Sequence, residues 1–162
     1  MVATRSPGPG EDAVGAIRAV GAEAELVTLD IGERDAVTEL VRQSVTRFGR
    51  LDIVLHNAAH MPVGLLGEPD EKELDKTIDV ALKAAFRLAR DALPYLKASP
   101  AGRLLFTSSI AGTHKSFPGF VHHGVVKMGL NGFIRGAALE LARLGITVNG
   151  IEPAGIRTFV PR

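Results

Sequence analysis

The chain of 162 residues contains no cysteine. That excludes disulfides and thiolate metal sites, and nothing points to an oxidising, secreted setting. Excess charge is missing as well: Lys+Arg 19 against Asp+Glu 18 leaves a formal net charge of +1. No strong field draws the chain to nucleic acid or to a membrane surface, and neither is expected as a partner. Long apolar runs are absent. No segment approaches the ~18 apolar residues of a membrane helix, and Met1-Val2-Ala3-Thr4-Arg5-Ser6-Pro7 has no run resembling a signal peptide. A soluble cytoplasmic protein is the expectation. Tyrosine occurs once, as Tyr95.

Hydrophobic residues make up 46% of the chain, and its Pro and Gly content does not signal disorder. The length suits one domain with a buried core, residues 1–162 being read as a single partial domain. Periodicity places a short helix over 11–20, ending at Gly21. Glu25–Leu29 reads as a strand stopped by Asp30. Residues 33–48 carry Val37, Leu40, Val41, Val45 and Phe48 at helical spacing, and Gly49 ends that helix. Residues 52–56 form a short apolar strand. A long helical segment covers 70–97, which Pro94 is expected to kink or end. Strand 103–107, helix 121–143 and strand 146–151 follow.

Strands alternating with helices mean parallel pairing through right-handed crossovers. The fold class is therefore α/β, a three-layer, doubly wound parallel sheet. Loop 61–69 follows a strand, where such sheets line their ligand crevice. Helix 121–143 is apolar nearly all round, with Val125, Val126, Met128, Leu130, Phe133 and Leu139 among its residues. One face suits the sheet. The other needs cover from a partner subunit or from a loop of the same chain.

Candidate chemistry sits in a few segments. Ser108-Ser109-Ile110-Ala111-Gly112 follows strand 103–107, and His123-Gly124-Val125-Val126-Lys127 follows fourteen residues after Ser109. Upstream, Arg47-Phe48-Gly49-Arg50-Leu51-Asp52-Ile53 leads to Asn57-Ala58-Ala59. Downstream, Gly145-Ile146-Thr147-Val148-Asn149 leads to Pro153. In this order and spacing the segments resemble the short-chain dehydrogenase/reductase family over nearly the whole chain.

The resemblance implies a Rossmann-like fold and hydride transfer between NAD or NADP and an alcohol or carbonyl, a small-molecule substrate. It implies Ser109 as the catalytic serine and Lys127 as the lysine that binds the nicotinamide ribose. Asp30 and Ile31, with the turn Asn57, Ala58 and Ala59, would border the adenine end. Pro153, Ile156 and Thr158 would lie along the carboxamide and pyrophosphate. Arg5 stands where a basic residue favours a 2′-phosphate, a surface arginine being the alternative.

The chain also departs from the family pattern. The family opens with a strand and a Gly-x-x-x-Gly-x-Gly turn that seats the pyrophosphate. Here the chain starts at what resembles the end of the second strand, and Gly8-Pro9-Gly10 reads only as a turn opening the first helix. The chain also stops at Arg162, before the family's last helix and strand, so it is expected to be truncated at both ends. The missing first strand would lie centrally, between strands 25–29 and 52–56. Strand 25–29 then moves over to pair with 52–56, a partner chain fills the gap, or the fragment folds poorly.

His123 occupies the position of the family's catalytic tyrosine, four residues before the lysine. A neutral imidazole suits a base and donates one hydrogen bond, but its length differs. Tyr95, in another helical segment, does not replace it. Ala81 stands where the family has an asparagine that holds a water of the proton relay, and Ala154 where the Pro-Gly turn has glycine.

His56, His60, His114, His122 and His123 have no ligand spacing, and no metal is expected. The expectation is a short-chain dehydrogenase/reductase scaffold, inactive or nearly so as this chain alone. The alternatives are a non-catalytic assembly protein, pairing with itself or an intact relative through helices 70–97 and 121–143, and a cofactor-free lyase or hydrolase using Ser109, His123 and Lys127.

Overall fold

The computed structural model describes residues 1–156. Five parallel strands alternate with helices. β1 (Val2–Thr4), α1 (Pro7–Ala19) and β2 (Leu26–Thr28) form one unit. α2 (Ala36–Phe48) then leads to β3 (Ile53–His56). α3 (Glu71–Ile78) and α4 (Ala84–Ala98) follow, then β4 (Arg103–Thr107), α5 (Val121–Leu141) and β5 (Thr147–Ile151). None of the described helices is long and apolar enough to cross a membrane.

The strands form two sheets, β1-β2 and β3-β4-β5. Val2 pairs with Leu26 and Thr4 with Thr28. β4 sits between its neighbours, Leu104 opposite both Val54 and Val148. The crossover through α1 runs one way and the crossover through α2 runs back. Equal handedness therefore puts these helices on opposite faces. The result is the incomplete three-layer α/β arrangement expected. Among the described residues no strand lies between β1 and β3. Strand 26–28 stays with β1 and does not move over to β3, so the first of the three expected outcomes does not occur. The neighbour of β3 across the gap is β1.

Alternation along the strands sets the core. Val54, Leu104, Phe106 and Val148 turn to one face, where Val37 and Val41 of α2, Leu88 and Leu96 of α4 and Leu130 of α5 bury them. The residues between them turn the other way, and Ile53 and Leu55 remain 57% and 61% exposed there.

Three elements differ from the sequence reading. Gly8-Pro9-Gly10 is not a turn before the first helix but lies in its first turn, since α1 starts at Pro7. Prolines are tolerated there because the first amides of a helix have no intrahelical acceptor. Gly10 also packs closely: a Cβ would sit 2.5 Å from Leu26 Cδ1 and 2.6 Å from Thr4 Cγ2, so with glycine α1 lies on the strands without moving those side chains.

Segment 70–97 is one continuous helical stretch, as read, but its middle is a π-helical turn, Asp79–Lys83, between α3 and α4. α3 starts cleanly because the Asp70 carboxylate accepts from Glu73 N–H at 2.8 Å. Pro94 does not end α4, which continues to Ala98. α5 leaves Val125 and Leu139 63% and 83% exposed, so no described loop covers its outer face.

Leu104 is fully buried at the centre of the middle strand. Leu104→Ala removes its contacts and leaves a cavity, and is expected to cost about 2–5 kcal/mol. Urea unfolding of the two proteins, followed by circular dichroism, measures the difference.

Candidate active site

β4 ends at Thr107, and the chain turns out of the sheet at Ser108 and Ser109. Ser108 is buried: its N–H donates to Ile151 O at 2.8 Å and its hydroxyl to Lys127 O at 3.3 Å. Ser109 Oγ accepts from Ala111 N–H at 3.1 Å, a local turn that holds the side chain in place. Ile110 N–H donates to Pro153 O at 3.2 Å, which ties the loop to the segment after β5. Gly112 brings the loop against α5. Its φ is +103°, and a Cβ there would sit 2.4 Å from Gly124 O. Only glycine permits that approach.

His123 and Lys127 lie one turn apart on α5, hence on one face. Both are buried, His123 9% and Lys127 4% exposed. The Lys127 ammonium donates to Thr107 O at 2.6 Å. Burial lowers its pKa. Burial, then the charge of Lys127 and then His122, lowers that of His123 and favours the neutral ring. The Phe120 ring lies edge-on to His123, centroids 6.0 Å apart. Ser109 thus stands just past the carboxyl end of β4, where the Lys127 ammonium also rests, and His123 lies one turn before Lys127 on α5; no hydrogen bond joins their side chains.

Tyr95 is remote from them. It adjoins Leu96, which packs on Gly102 at the amino end of β4, the far end of the strand. Among the described residues no three potential ligand side chains cluster. His60 pairs with Glu73 at 2.7 Å and His114 with Glu152 at 3.1 Å.

The cofactor candidates divide. Arg5, Asp30, Ile31, Asn57, Ala58 and Ala59 all line one cavity of about 530 Å³ between β1 and β3. Lys127, Pro153 and Ile156 lie outside its lining. Thr158 lies outside the described residues. Asp30 accepts from Gly32 N–H at 2.9 Å and from the Lys76 ammonium of α3. Burial pushes its carboxyl upward, but Lys76, the Gly32 amide and Arg5 outweigh that and hold the pKa below the usual range. Lys76 carries no signal in the sequence, because the contact spans 46 residues. A carboxylate beside Arg5 at a strand end, with the Asn57 turn opposite, fits the polar adenosine end of a nucleotide.

His56 was missed as a site residue. It is 3% exposed, and its Nε2 donates to the Ala81 carbonyl at 3.3 Å. That carbonyl lies in the π-helical turn, where the regular ladder is interrupted. The Ala81 side chain offers no hydrogen-bonding group, but its main chain does, and His56 occupies it. His56 also lines the cavity, and the charge of Lys127 acts on it. Only Asn57-Ala58-Ala59 stood out in sequence; the ring before them becomes informative once Ala81 is opposite.

Burial lowers the pKa of His56 below its ordinary 6.5, and that of His123 likewise. The unfolded chain then binds protons that the folded chain refuses, starting near pH 6.5. Stability is expected to be full above that pH and to fall as pH drops through the lowered values. His56→Gln, which keeps a donor for Ala81 O without titrating, is expected to flatten part of that fall. Urea midpoints at pH 7.5 and 5.5, set on either side of the usual histidine range, provide the check.

The family profile described as short chain dehydrogenase matches residues 1–162. A versicolorin reductase of Emericella nidulans is 33% identical over 148 residues, 91% of this chain and 55% of that protein. The 3-oxoacyl-[acyl-carrier-protein] reductase of Staphylococcus aureus is 32% identical over 146 residues, 90% of this chain and 59% of its own length. Among solved structures, a short-chain dehydrogenase of Burkholderia cenocepacia in complex with NADP superposes with a TM-score of 0.87 at 29% identity, covering 94% of this chain and 62% of that one. A short-chain dehydrogenase from Streptomyces avermitilis gives 0.84 at 29%, covering 96% and 56%. The chain spans little more than half the length of these curated relatives. With a family profile matched from end to end and a shared fold, the chain belongs to the short-chain dehydrogenase family.

Proposed function

We propose that this chain carries the substrate side of an NAD(P)-linked alcohol or carbonyl oxidoreductase and, by itself, turns over little or nothing. The observation that supports this most is the Lys127 ammonium on Thr107 O at 2.6 Å, two residues before Ser109 at the carboxyl end of β4, with His123 one turn away on the same face of α5. A nicotinamide cofactor supplies or accepts the hydride when bound. Asp30, Ile31 and the Asn57-Ala58-Ala59 turn would hold its adenosine end, and Arg5 at the same mouth suits a 2′-phosphate, which favours NADP. Among the described residues no glycine-rich turn lines that mouth, so binding is expected to be weak.

Ser109 Oγ would donate to the substrate oxygen, and neutral His123 would take the hydroxyl proton of an alcohol. The reverse task needs an imidazolium, which burial and Lys127 disfavour. Whatever turnover the site retains therefore runs better as alcohol oxidation than as carbonyl reduction near neutral pH. Two features limit it. The Lys127 ammonium must leave Thr107 O to reach a ribose, and Ser109 Oγ has no hydrogen bond to His123.

Titration of the purified chain with NADPH and NADH, read by nicotinamide fluorescence, is expected to show weak binding that Lys127→Ala and Asp30→Ala abolish. Turnover of simple alcohols and ketones is expected near background, raised at least tenfold by His123→Tyr. Wild-type turnover in the ordinary range of about 1–1000 per second defeats the low-activity reading. A flat fluorescence titration at saturating concentrations defeats the cofactor reading.

The outer face of α4 and α5 supports a second reading, assembly with another copy. Phe86 of α4 meets Phe133 of α5 edge-on at 4.6 Å, and Leu82 packs against Gly129, so the two helices present one surface. Phe86, Val125 and Met128 are 60%, 63% and 42% exposed on it. Such a patch is the usual mark of a protein interface. Light scattering is expected to give a dimer or larger, and Phe86→Glu with Val125→Glu a monomer. A monomeric wild type at high micromolar concentration removes this reading.

A further inference from the structure

Among the described residues, Asp30 is the one acidic side chain lining the cavity between β1 and β3, and Arg5 and Arg50 are the basic ones. Arg50 is already paired: its guanidinium forks onto Asp52, both bonds 2.8 Å long. Arg5 stands close enough to Asp30 for its charge to act on that carboxylate. The ion pair that Asp30 forms is nevertheless with Lys76. Its Oδ1 accepts from Gly32 N–H at 2.9 Å, and its Oδ2 from the Lys76 ammonium.

Lys76 approaches from behind. It lies in the last turn of α3 and takes no part in the cavity lining. Nearby carboxylates on its own side of the fold have other partners: Asp79 pairs with Lys83 at 2.8 Å and Glu73 with His60 at 2.7 Å. The turn after β2 is fastened to the helices at a second point, where Arg87 of α4 donates to Gly32 O at 2.9 Å. A Cβ on Gly32 would crowd the pair, 3.2 Å from Asp30 Oδ1 and 3.3 Å from Lys76 Nζ, so glycine leaves the contact room. The side chains of Lys76 and Asp30 are 27% and 25% exposed, and solvent screens their attraction only in part.

We propose that Lys76 is a positioning residue that sets the nucleotide preference of this mouth: by taking Asp30 it leaves Arg5 free to receive the 2′-phosphate of NADP. This rests on the nicotinamide-cofactor reading given above. Asp30 and Lys76 together carry almost no net charge, so the mouth presents the charge of Arg5 to an incoming phosphate. Without Lys76 the uncompensated carboxylate draws the Arg5 guanidinium to itself. The phosphate of NADP then has to compete for it, while NAD, which has a hydroxyl at that position, loses nothing. Asp30 remains an acceptor for the adenosine in both cases, because each of its oxygens has lone pairs beyond the bonds described.

Nicotinamide fluorescence gives the dissociation constants of NADPH and NADH for the wild type, Lys76→Met, Lys76→Arg, Arg5→Met and the double variant Arg5→Met/Lys76→Met. Lys76→Met is expected to weaken NADPH relative to NADH by about fivefold or more. Lys76→Arg, which keeps the ion pair, is expected to retain the wild-type ratio. On the Arg5→Met background, losing Lys76 is expected to move the ratio by less than about twofold. Equal weakening of both nucleotides by Lys76→Met marks a merely structural role and overturns the proposal. Additive effects of the Arg5 and Lys76 changes, the mark of a lysine that touches the phosphate itself, overturn it too. A second measurement needs no nucleotide: the Arg5 Nε–H resonance in NMR is expected to shift in Lys76→Met and to return when Asp30→Asn is added. An unmoved resonance overturns the role of Lys76 and leaves the cofactor reading intact, whereas flat titrations of the wild type defeat that reading and this inference with it.

Discussion

β4 is hydrogen-bonded to β3 along one edge and to β5 along the other, and its alternate residues Leu104 and Phe106 are sealed beneath the helices. A strand held on three sides has one direction in which to leave the sheet, and Ser108 and Ser109 stand where it leaves. The loop that follows is pinned by Ile110 on the Pro153 carbonyl and by the contact of Gly112 with Gly124. The position of Ser109 relative to α5 is therefore a consequence of packing well away from it.

The electrostatics of the site follow from the same burial. Lys127 sits on the inward face of α5, and the available acceptor for its ammonium is the last carbonyl of β4. Burial lowers the pKa of His123 and of His56, and the charge of an ammonium placed there adds to it. A histidine beside a buried lysine is thus a base more readily than an acid. The two sheets differ in completeness for a related reason. β3-β4-β5 has helices under one face, while its other face, with Ile53 and Leu55, and the edge toward β1 remain open.

Much of this was legible in the residues. The strand Arg103–Thr107 was read to its exact ends, because an apolar run between Gly102 and two serines has few other solutions. Helix 121–143 differs only at its end, where Ala142–Leu144 tightens into a 3-10 turn before Gly145. The π-helical turn at Asp79–Lys83 left no mark, since its residues suit an α-helix equally well and the partner that uses its carbonyl, His56, lies 25 residues away. The same holds for Lys76 on Asp30. Gly8-Pro9-Gly10 misled because glycine and proline usually punctuate. Here they serve a helix start and a close approach to Leu26.

The sequence by itself determined the alternation of strand and helix, the parallel sheet, the family pattern and the identities of Ser109, His123 and Lys127. These depend on local periodicity and on motifs a few residues long. Tertiary structure alone decided that β2 stays with β1 and leaves a slot beside β3, that Lys127 rests on Thr107, and that His56 answers the carbonyl of Ala81. Each of those joins residues about 20 or more apart, and such contacts are settled by which surfaces exclude water together, a quantity no short window of sequence contains.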